Sequence, residues 1–413
     1  MTNKKTILFI HRNFPGQFRH IADHLARSGH KVFAASGRGD AKTGTFVKLP
    51  SGVQIIGYRP QRRPNPDIHS YLHTTEEAIL EGQGLANAAI HMRKMGIFPD
   101  IIVAHSGWGS GSFSKTVWPD AKFVQYLEWW YEPPETSPAD AADLNAVRIV
   151  NARAQTLCRN IPFMVDAVQA DAILSPSAFQ SEDVPEILRS KLHVIPDGVD
   201  CRLFHPRESD ETIDIGDISL PPATPVVTFA TRGMEPMRGF PEFMAAWEKV
   251  QHRCPDAHCI VAGTDTVHYG ARLPEGETYK SRALAEHDFD PDRLHFVGRL
   301  PLESYARLLR RTNCHLYLTR PFIISWSLLE AMASAAPLVV SDNAATREAL
   351  PKSSQALHVN ISDIDQISEA IVKTIESPKA AKKRGTRNRK RIEKTYSTDV
   401  TLPKIEKLLF SLL

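Results

Sequence analysis

Residues 320–340 read RPFIISWSLLEAMASAAPLVV. From Trp326 onward the stretch is apolar at Leu328, Leu329, Ala331 and Met332. It then passes through Pro337 into Leu338, Val339 and Val340. An apolar helix followed at once by a short run of branched residues is half of a βα repeat, in which helices cover a buried parallel sheet. Glu330 is the exception on that helix. A charge on an otherwise apolar helix costs several kcal/mol, as an order of magnitude, unless it is partnered. With Ser327 and Ser334 at i−3 and i+4, it reads either as a satisfied structural carboxylate or as a ligand group, for which a hydroxyl pair such as a ribose diol is a suitable partner.

The same alternation extends in both directions. TILFIHRN is a strand, QFRHIADHLARSGH an amphipathic helix ending at Gly29, and KVFAAS the next strand. PDIIVAHSG, AKFVQYLE, ADAILSPS and KLHVIPDGVD continue the series. The unit then restarts: PVVTFATRG is a strand, FPEFMAAWEKVQHRC a helix and AHCIVAG a strand, with LHFVGRL, HLYLT and PLVVSDN further along. CRLFHPRESDETIDIGDISLPPAT is polar and weakly periodic, and reads as a linker plus the start of a second domain. A chain of 413 residues exceeds one ordinary core and suits two domains of roughly 200 residues each. The expected fold is therefore α/β, with two Rossmann-like doubly wound domains facing each other across a cleft: residues 1–205, then 206–391, with a terminal helix about 392–413 packing back on the first. A single eight-fold barrel is the alternative. The linker argues against it, as does a middle region without clear βα periodicity.

Composition narrows the function. Hydrophobic residues are 42% and charged residues 23%, a soluble globular profile, and the formal charge of +3 gives no case for nucleic acid. No apolar run reaches the roughly 18 residues of a membrane span, and ILFI is too short for a signal-peptide core. The five cysteines form no CxxC, which suits neutral thiols in a reducing cytoplasm and not a zinc site. KAAKKRGTRNRKRIEKTYS reads as a solvated basic helix, its functional alternative being weak peripheral contact with an anionic membrane surface. RPQRRP, Arg59 to Pro64, reads as an exposed loop.

In open α/β domains, ligands bind at the carboxyl ends of the strands. Four such loops carry the chemistry. In HRNFPGQF, Gly16 stands where a strand gives way to a helix and backbone N–H groups can approach an anion. No GxGxxG is present, which disfavours a nicotinamide dehydrogenase. In AHSGWGSGSF, His105 lies at a strand end among glycines, with Trp108 after it. In EWWYEPPE, Glu128 and Tyr131 put a carboxylate among aromatic rings, as carbohydrate sites do. In TRGMEPMRGF, Arg232 and Arg238 flank a strand-to-helix loop and suit a diphosphate whose charge grows as it leaves. Each has a bland reading, respectively a turn glycine, a structural histidine, core aromatics and surface arginines.

SLLEAMASAAPLVVSDNAATREAL resembles the donor signature of family 4 of the retaining glycosyltransferases, which have the GT-B fold. TRGMEPMRGF, VIPDGVD and LHFVGRLPLESYARLL resemble further segments of that family, and FIHRNFPGQF and AHSGWG resemble the openings of a bacterial branch. The resemblance covers nearly the whole chain. It implies that Arg232 and Arg238 hold the donor diphosphate as catalytic groups, that Glu330 binds the ribose, and that Ile324, Ser325, Trp326 and Ser327 face the donor sugar. It also implies Gly298 and Arg299 near the base, Gly16 on the phosphates, and His105 between donor sugar and acceptor, with Trp108, Glu128 and Tyr131 on the acceptor side. Phe322 occupies the place of the family's first motif glutamate.

The implied activity is transfer of a sugar from a nucleotide-diphosphate donor, a UDP-sugar first among them, to a hydroxyl of a carbohydrate or lipid-linked acceptor of the bacterial envelope. Front-face displacement needs no covalent nucleophile, no cofactor and no metal. A sugar-nucleotide epimerase on the same fold and a non-catalytic sugar-nucleotide-binding protein are the alternatives.

Overall fold

The computed structural model describes residues 4–37, 46–49, 51–132, 146–207, 212–270 and 273–413. Within them the chain divides into two compact units, Met1–Gly198 with Thr401–Leu413, and Val199–Val400. The boundary falls before the position suggested by composition. Val199 donates its N–H to the Tyr396 carbonyl (2.8 Å), and buried Phe204 packs on Tyr305, which ties this segment to the second unit.

The first unit holds β1 (Thr6–Ile10), β2 (Lys31–Ser36), β3 (Phe46–Lys48), β4 (Gln54–Gly57), β5 (Ile101–His105), β6 (Lys122–Tyr126), β7 (Ala172–Ser175) and β8 (Leu192–Val194). They form one sheet in the order β3-β4-β2-β1-β5-β6-β7-β8, parallel throughout except for the β3–β4 pair. Strand pleating explains why β1 is apolar at every position but its first. Ile7 and Phe9 join a core that includes Phe18 and Leu25, while Leu8 and Ile10 join one that includes Leu85 and Met92. Leu402, Ile405, Leu408 and Leu409 of the last helix (Thr398–Ser411) belong to the Ile7–Phe9 core.

The middle region without evident periodicity contains a helix, His73–Lys94. Its buried face is made largely of small residues, Gly82, Gly84, Ala88 and Ala89, while Ile79 and Ile90 are exposed. A Cβ on Gly84 would lie 2.5 Å from the Arg59 carbonyl oxygen, so the glycine lets the loop lie directly on the helix.

The second unit holds a hairpin of β9 (Ile213–Ile215) and β10 (Ile218–Leu220), plus β11 (Val226–Gly233), β12 (His258–Thr264), β13 (Leu294–Gly298), β14 (Cys314–Tyr317), β15 (Leu338–Ser341) and β16 (Leu357–Val359). The last six form a parallel sheet in the order β13-β12-β11-β14-β15-β16. Two open sheets exclude the closed barrel. The segment read as linker contributes the hairpin, whose turn includes Gly216 at φ +58°.

The basic run forms the helix Pro378–Thr395, and it is not solvated on all sides. Ala381, Gly385, Asn388 and Ile392 make a buried stripe. Arg389 donates to the Ala333 carbonyl (2.7 Å) and Arg391 to the Ala349 carbonyl (2.7 Å). Both carbonyls end helices, where a cation meets the negative end of the helix dipole. The cysteines are free thiols, with Cys254, Cys259 and Cys314 buried.

Candidate functional site

In the second unit, β11, with Arg232 next to its last residue, runs into the loop that carries Arg238 and then into the helix Phe240–Arg253. Gly239 is its N-cap at φ +66°, and a Cβ there would lie 2.5 Å from Leu318 Cβ. Only glycine serves that approach. A cavity of about 50 Å3 opens at the ends of β11 and β14, and Arg232, Arg238, Tyr317, Ser325 and Ser327 are among its lining. No carboxylate lines it.

Arg232 is exposed and Arg238 half-buried. The Arg238 guanidinium lies 5.5 Å from the Tyr269 ring centroid, and Tyr269 meets Phe322 edge-on at 5.3 Å. Phe322 is thus part of an aromatic wall beside the arginine. Burial pushes the Tyr317 phenol up, against the opposing pull of Arg238 and Ser325.

Glu235 lies between the two arginines in sequence but does not neutralise the cavity. It is buried, and its carboxylate accepts the N–H groups of His268 and of Tyr269 (2.9 Å). It therefore pins the loop that presents Tyr269 to Arg238. The sequence reading passed over it; the available signal was a carboxylate inside the arginine loop.

Ser325 caps the helix Trp326–Ala333, its Oγ accepting the Ser327 N–H at 3.3 Å, while its own N–H donates to the Tyr317 hydroxyl at 3.3 Å. Ile324 packs on the cluster of Leu328 and Met332. Glu330 is half-buried and has a protein neighbour: burial, and then the Glu330 charge, push the Tyr305 phenol well above its usual range. Gly298 (φ +64°) and Arg299 are exposed at the end of β13.

In the first unit, the loops after β1, β5 and β6 bring together a polar cluster. The His11 Nδ1 accepts the Asn13 N–H (2.9 Å), so its Nε2 carries the proton, which is donated to Gln17 Oε1 (2.7 Å). Gln17 Nε2 donates to Glu128 Oε1 (2.6 Å). Glu128 Oε2 stands 3.4 Å from His105 Nε2, and His105 Nδ1 donates to the Ser106 carbonyl (2.9 Å).

Burial, then the His105 charge, hold His11 down at about 3, against the pull of Gln17 and Glu128, so it is neutral. Burial works to raise Glu128, but the His105 hydrogen bond and charge, with Gln17 and His11, outweigh it and keep the carboxyl below its usual range. His105 is only 5% exposed, whereas Glu128 keeps 27% of its side chain open. Both His105 nitrogens already face protein oxygens, so the accessible end of this relay is Glu128.

Trp108 stacks on His105 at 4.4 Å. Gly16 has a specific reason to be glycine: its Cβ would lie 2.2 Å from His11 Nε2, and its φ is +42°. Tyr131 sits further along the loop. It exchanges backbone hydrogen bonds with the Asn160 side chain and packs on Phe163. Tyr126 donates to Asp197 (2.7 Å). Behind the glycine-rich loop, Ser112 donates to Asp166, whose carboxyl burial pushes up to about 7. His11 and Gln17 were missed at the sequence level, although His11 directly follows a strand just as His105 ends one.

Two domain models match this chain in succession: a glycosyl transferase family 4 group over residues 28–204 and glycosyl transferases group 1 over residues 224–377. The chain is a glycosyltransferase of the GT-B fold.

It is 24% identical over 411 residues to the MMP α-(1→4)-mannosyltransferase of Mycolicibacterium hassiacum, covering 92% of this chain and 90% of that one. Among solved structures it resembles the sucrose-phosphate synthase of Thermosynechococcus elongatus, with a TM-score of 0.73 and 16% identity over 99% of each chain. It also resembles Anabaena HepE in complex with UDP and glucose, with a TM-score of 0.67 and 14% identity over 98% of this chain and 100% of that one. At these identities the structures speak for the glycosyltransferase fold alone. Among the described residues no helix is long and apolar enough to cross a membrane.

Proposed function

We propose that this glycosyltransferase is a retaining enzyme that transfers a sugar from a nucleotide diphosphate, a UDP-sugar first among them, to a hydroxyl of a carbohydrate or lipid-linked acceptor in bacterial envelope synthesis. The observation that carries the reading is the cavity at the ends of β11 and β14, lined by two arginines and by hydroxyls, with no carboxylate among its lining. Paired guanidiniums with no acid beside them suit a diphosphate. The aromatic wall of Tyr269 and Phe322 is the feature of this chain that bears on the choice of donor sugar.

In the proposed step the bond from the anomeric carbon to the phosphate oxygen breaks, and negative charge grows on that oxygen beside Arg232 and Arg238. The acceptor oxygen bonds to the anomeric carbon on the same face and passes its proton to the departing phosphate. The charge is met by side chains of the protein, so no metal or cofactor enters the scheme. In the first unit, Glu128 is the accessible carboxylate, held anionic and oriented by Gln17 and His105. Its proposed role is to accept a hydrogen bond from an acceptor hydroxyl, with Trp108 as an apolar surface for the sugar. Support for the enzyme class comes from the family 4 group match and the mannosyltransferase relative.

The test is a thermal-shift screen of nucleotide sugars, followed by turnover of the best donor with an acceptor panel and assignment of the product anomer. Acceptor-dependent release of the nucleoside diphosphate with retained configuration is expected. Failure of every nucleotide sugar to stabilise the protein, or an inverted product, overturns the proposal.

A further inference from the structure

A second and larger cavity, of about 420 Å3, lies within the second unit, away from the donor opening. Asn313 and Pro337, which precede β14 and β15, help to line it, so it sits at the amino ends of those strands, and the carboxyl end of β14 leads to the Glu330 helix. Its size falls among those of small-molecule pockets, on the order of 300–1,000 Å3.

Among the described residues, its charged lining is Arg207, Arg310 and Lys382, with no aspartate or glutamate. Arg310 spends Nη1 on the Leu203 carbonyl (3.5 Å) and on His205 Nε2 (2.7 Å), but its Nε is buried with no hydrogen-bond partner. A guanidinium donor removed from water and left unpaired is costly, and costs of that kind persist where a ligand meets them.

The hydroxyls around the cavity already donate to carbonyls, Ser334 to Glu330 (3.0 Å), Thr374 to Ala370 (2.7 Å) and Thr386 to Lys382 (2.9 Å). They leave Arg310 Nε and Lys382 as donors for a guest.

We propose that this cavity is a second ligand site, which takes a small phosphate-bearing anion such as a sugar phosphate. Arg310 and Lys382 are its principal contacts. Ser334 and Ala335 on its wall end the helix that carries Glu330, so an occupant touches an element shared with the donor opening.

The experiment is calorimetric titration of inorganic phosphate and of glucose 6-phosphate into the Arg238→Ala protein, which weakens phosphate capture at the donor opening. Binding is expected to persist there. It should weaken about 10-fold when Lys382→Ala is added, the worth of one charge-assisted contact. Lys382 is exposed, so its replacement tests contact without threatening the core. Arg310→Gln should weaken binding at least as much, with folding checked by circular dichroism. Absence of phosphate and sugar-phosphate binding up to about 10 mM in the wild type overturns the proposal, as does binding that Lys382→Ala leaves unchanged. Neither outcome depends on the nature of the sugar donor.

Discussion

The polar loops of the first unit and the arginine loop of the second follow the same architectural rule and solve opposite problems. In the first, His11, Gln17 and Glu128 are joined by hydrogen bonds, His105 stands 3.4 Å from Glu128, and the Glu128 carboxylate keeps 27% of its side chain open. In the second, Arg232 and Arg238 line an opening that holds no carboxylate, and the nearest acid in sequence, Glu235, is committed to backbone N–H groups. A self-satisfied relay is pre-organised before any ligand arrives. An unneutralised pair of cations gains most of its stabilisation when an anion binds. The expectation is a rigid acceptor-side surface in one unit and a donor-side surface that responds to ligand in the other.

The sharpest way to break that contrast is Arg238→Ala. Transfer is expected to fall ~100- to 1000-fold, the usual cost of removing one group aimed at developing charge. UDP affinity, read by calorimetry, should fall with it. Unchanged kinetics would remove the diphosphate assignment.

Next comes Glu128→Gln, which replaces the accessible acceptor by an amide and removes the carboxylate that stands 3.4 Å from His105 Nε2. Turnover should drop about 10- to 100-fold, the value of a hydrogen bond to a charged group, while UDP affinity stays as it was. A fall in UDP affinity, or in melting temperature alone, would count against the acceptor role.

A third test concerns acid stability. Burial holds His11 at about 3 and His315, which pairs with Thr228 (2.8 Å), at about 4, both below the ordinary 6.5. Below pH 6.5 the unfolded chain takes up these protons and the folded one does not. Stability should therefore be complete above pH 6.5 and decline as pH falls toward 4, by about 1.4 kcal/mol per pH unit for each histidine. Urea unfolding at pH 7 and pH 5 checks this, and His315→Gln should flatten the decline. A stability that rises on acidification would refute it.

Much of this was legible along the chain. Unbroken apolar runs such as TILFI and PLVV identify parallel strands because both faces of such a sheet are buried. The helix from Trp326 followed from the same logic. The helix His73–Lys94 escaped because its buried face is largely glycine and alanine while Ile79 and Ile90 are exposed, which leaves little hydrophobic contrast. The hairpin Ile213–Leu220 escaped because three-residue strands are too short for their alternation to register. Arg232, Arg238, Glu128 and His105 could be picked out by their place after strands. His11 and Gln17 could not be joined to Glu128, because that link bridges segments over a hundred residues apart and exists only once β1 and β6 share a sheet.

The sequence by itself determined the class of molecule, since local hydrophobic period and loop chemistry are properties of neighbouring residues. Tertiary structure alone decided which polar groups are already partnered. It committed Glu235 to backbone N–H groups, set Glu330 beside Tyr305, tied His105 Nδ1 to the Ser106 carbonyl and left Arg310 Nε with no partner. The reason is physical: the free energy of a charged side chain depends on what burial brings within about 4 Å of it, and that distance is set by packing between segments remote in the chain.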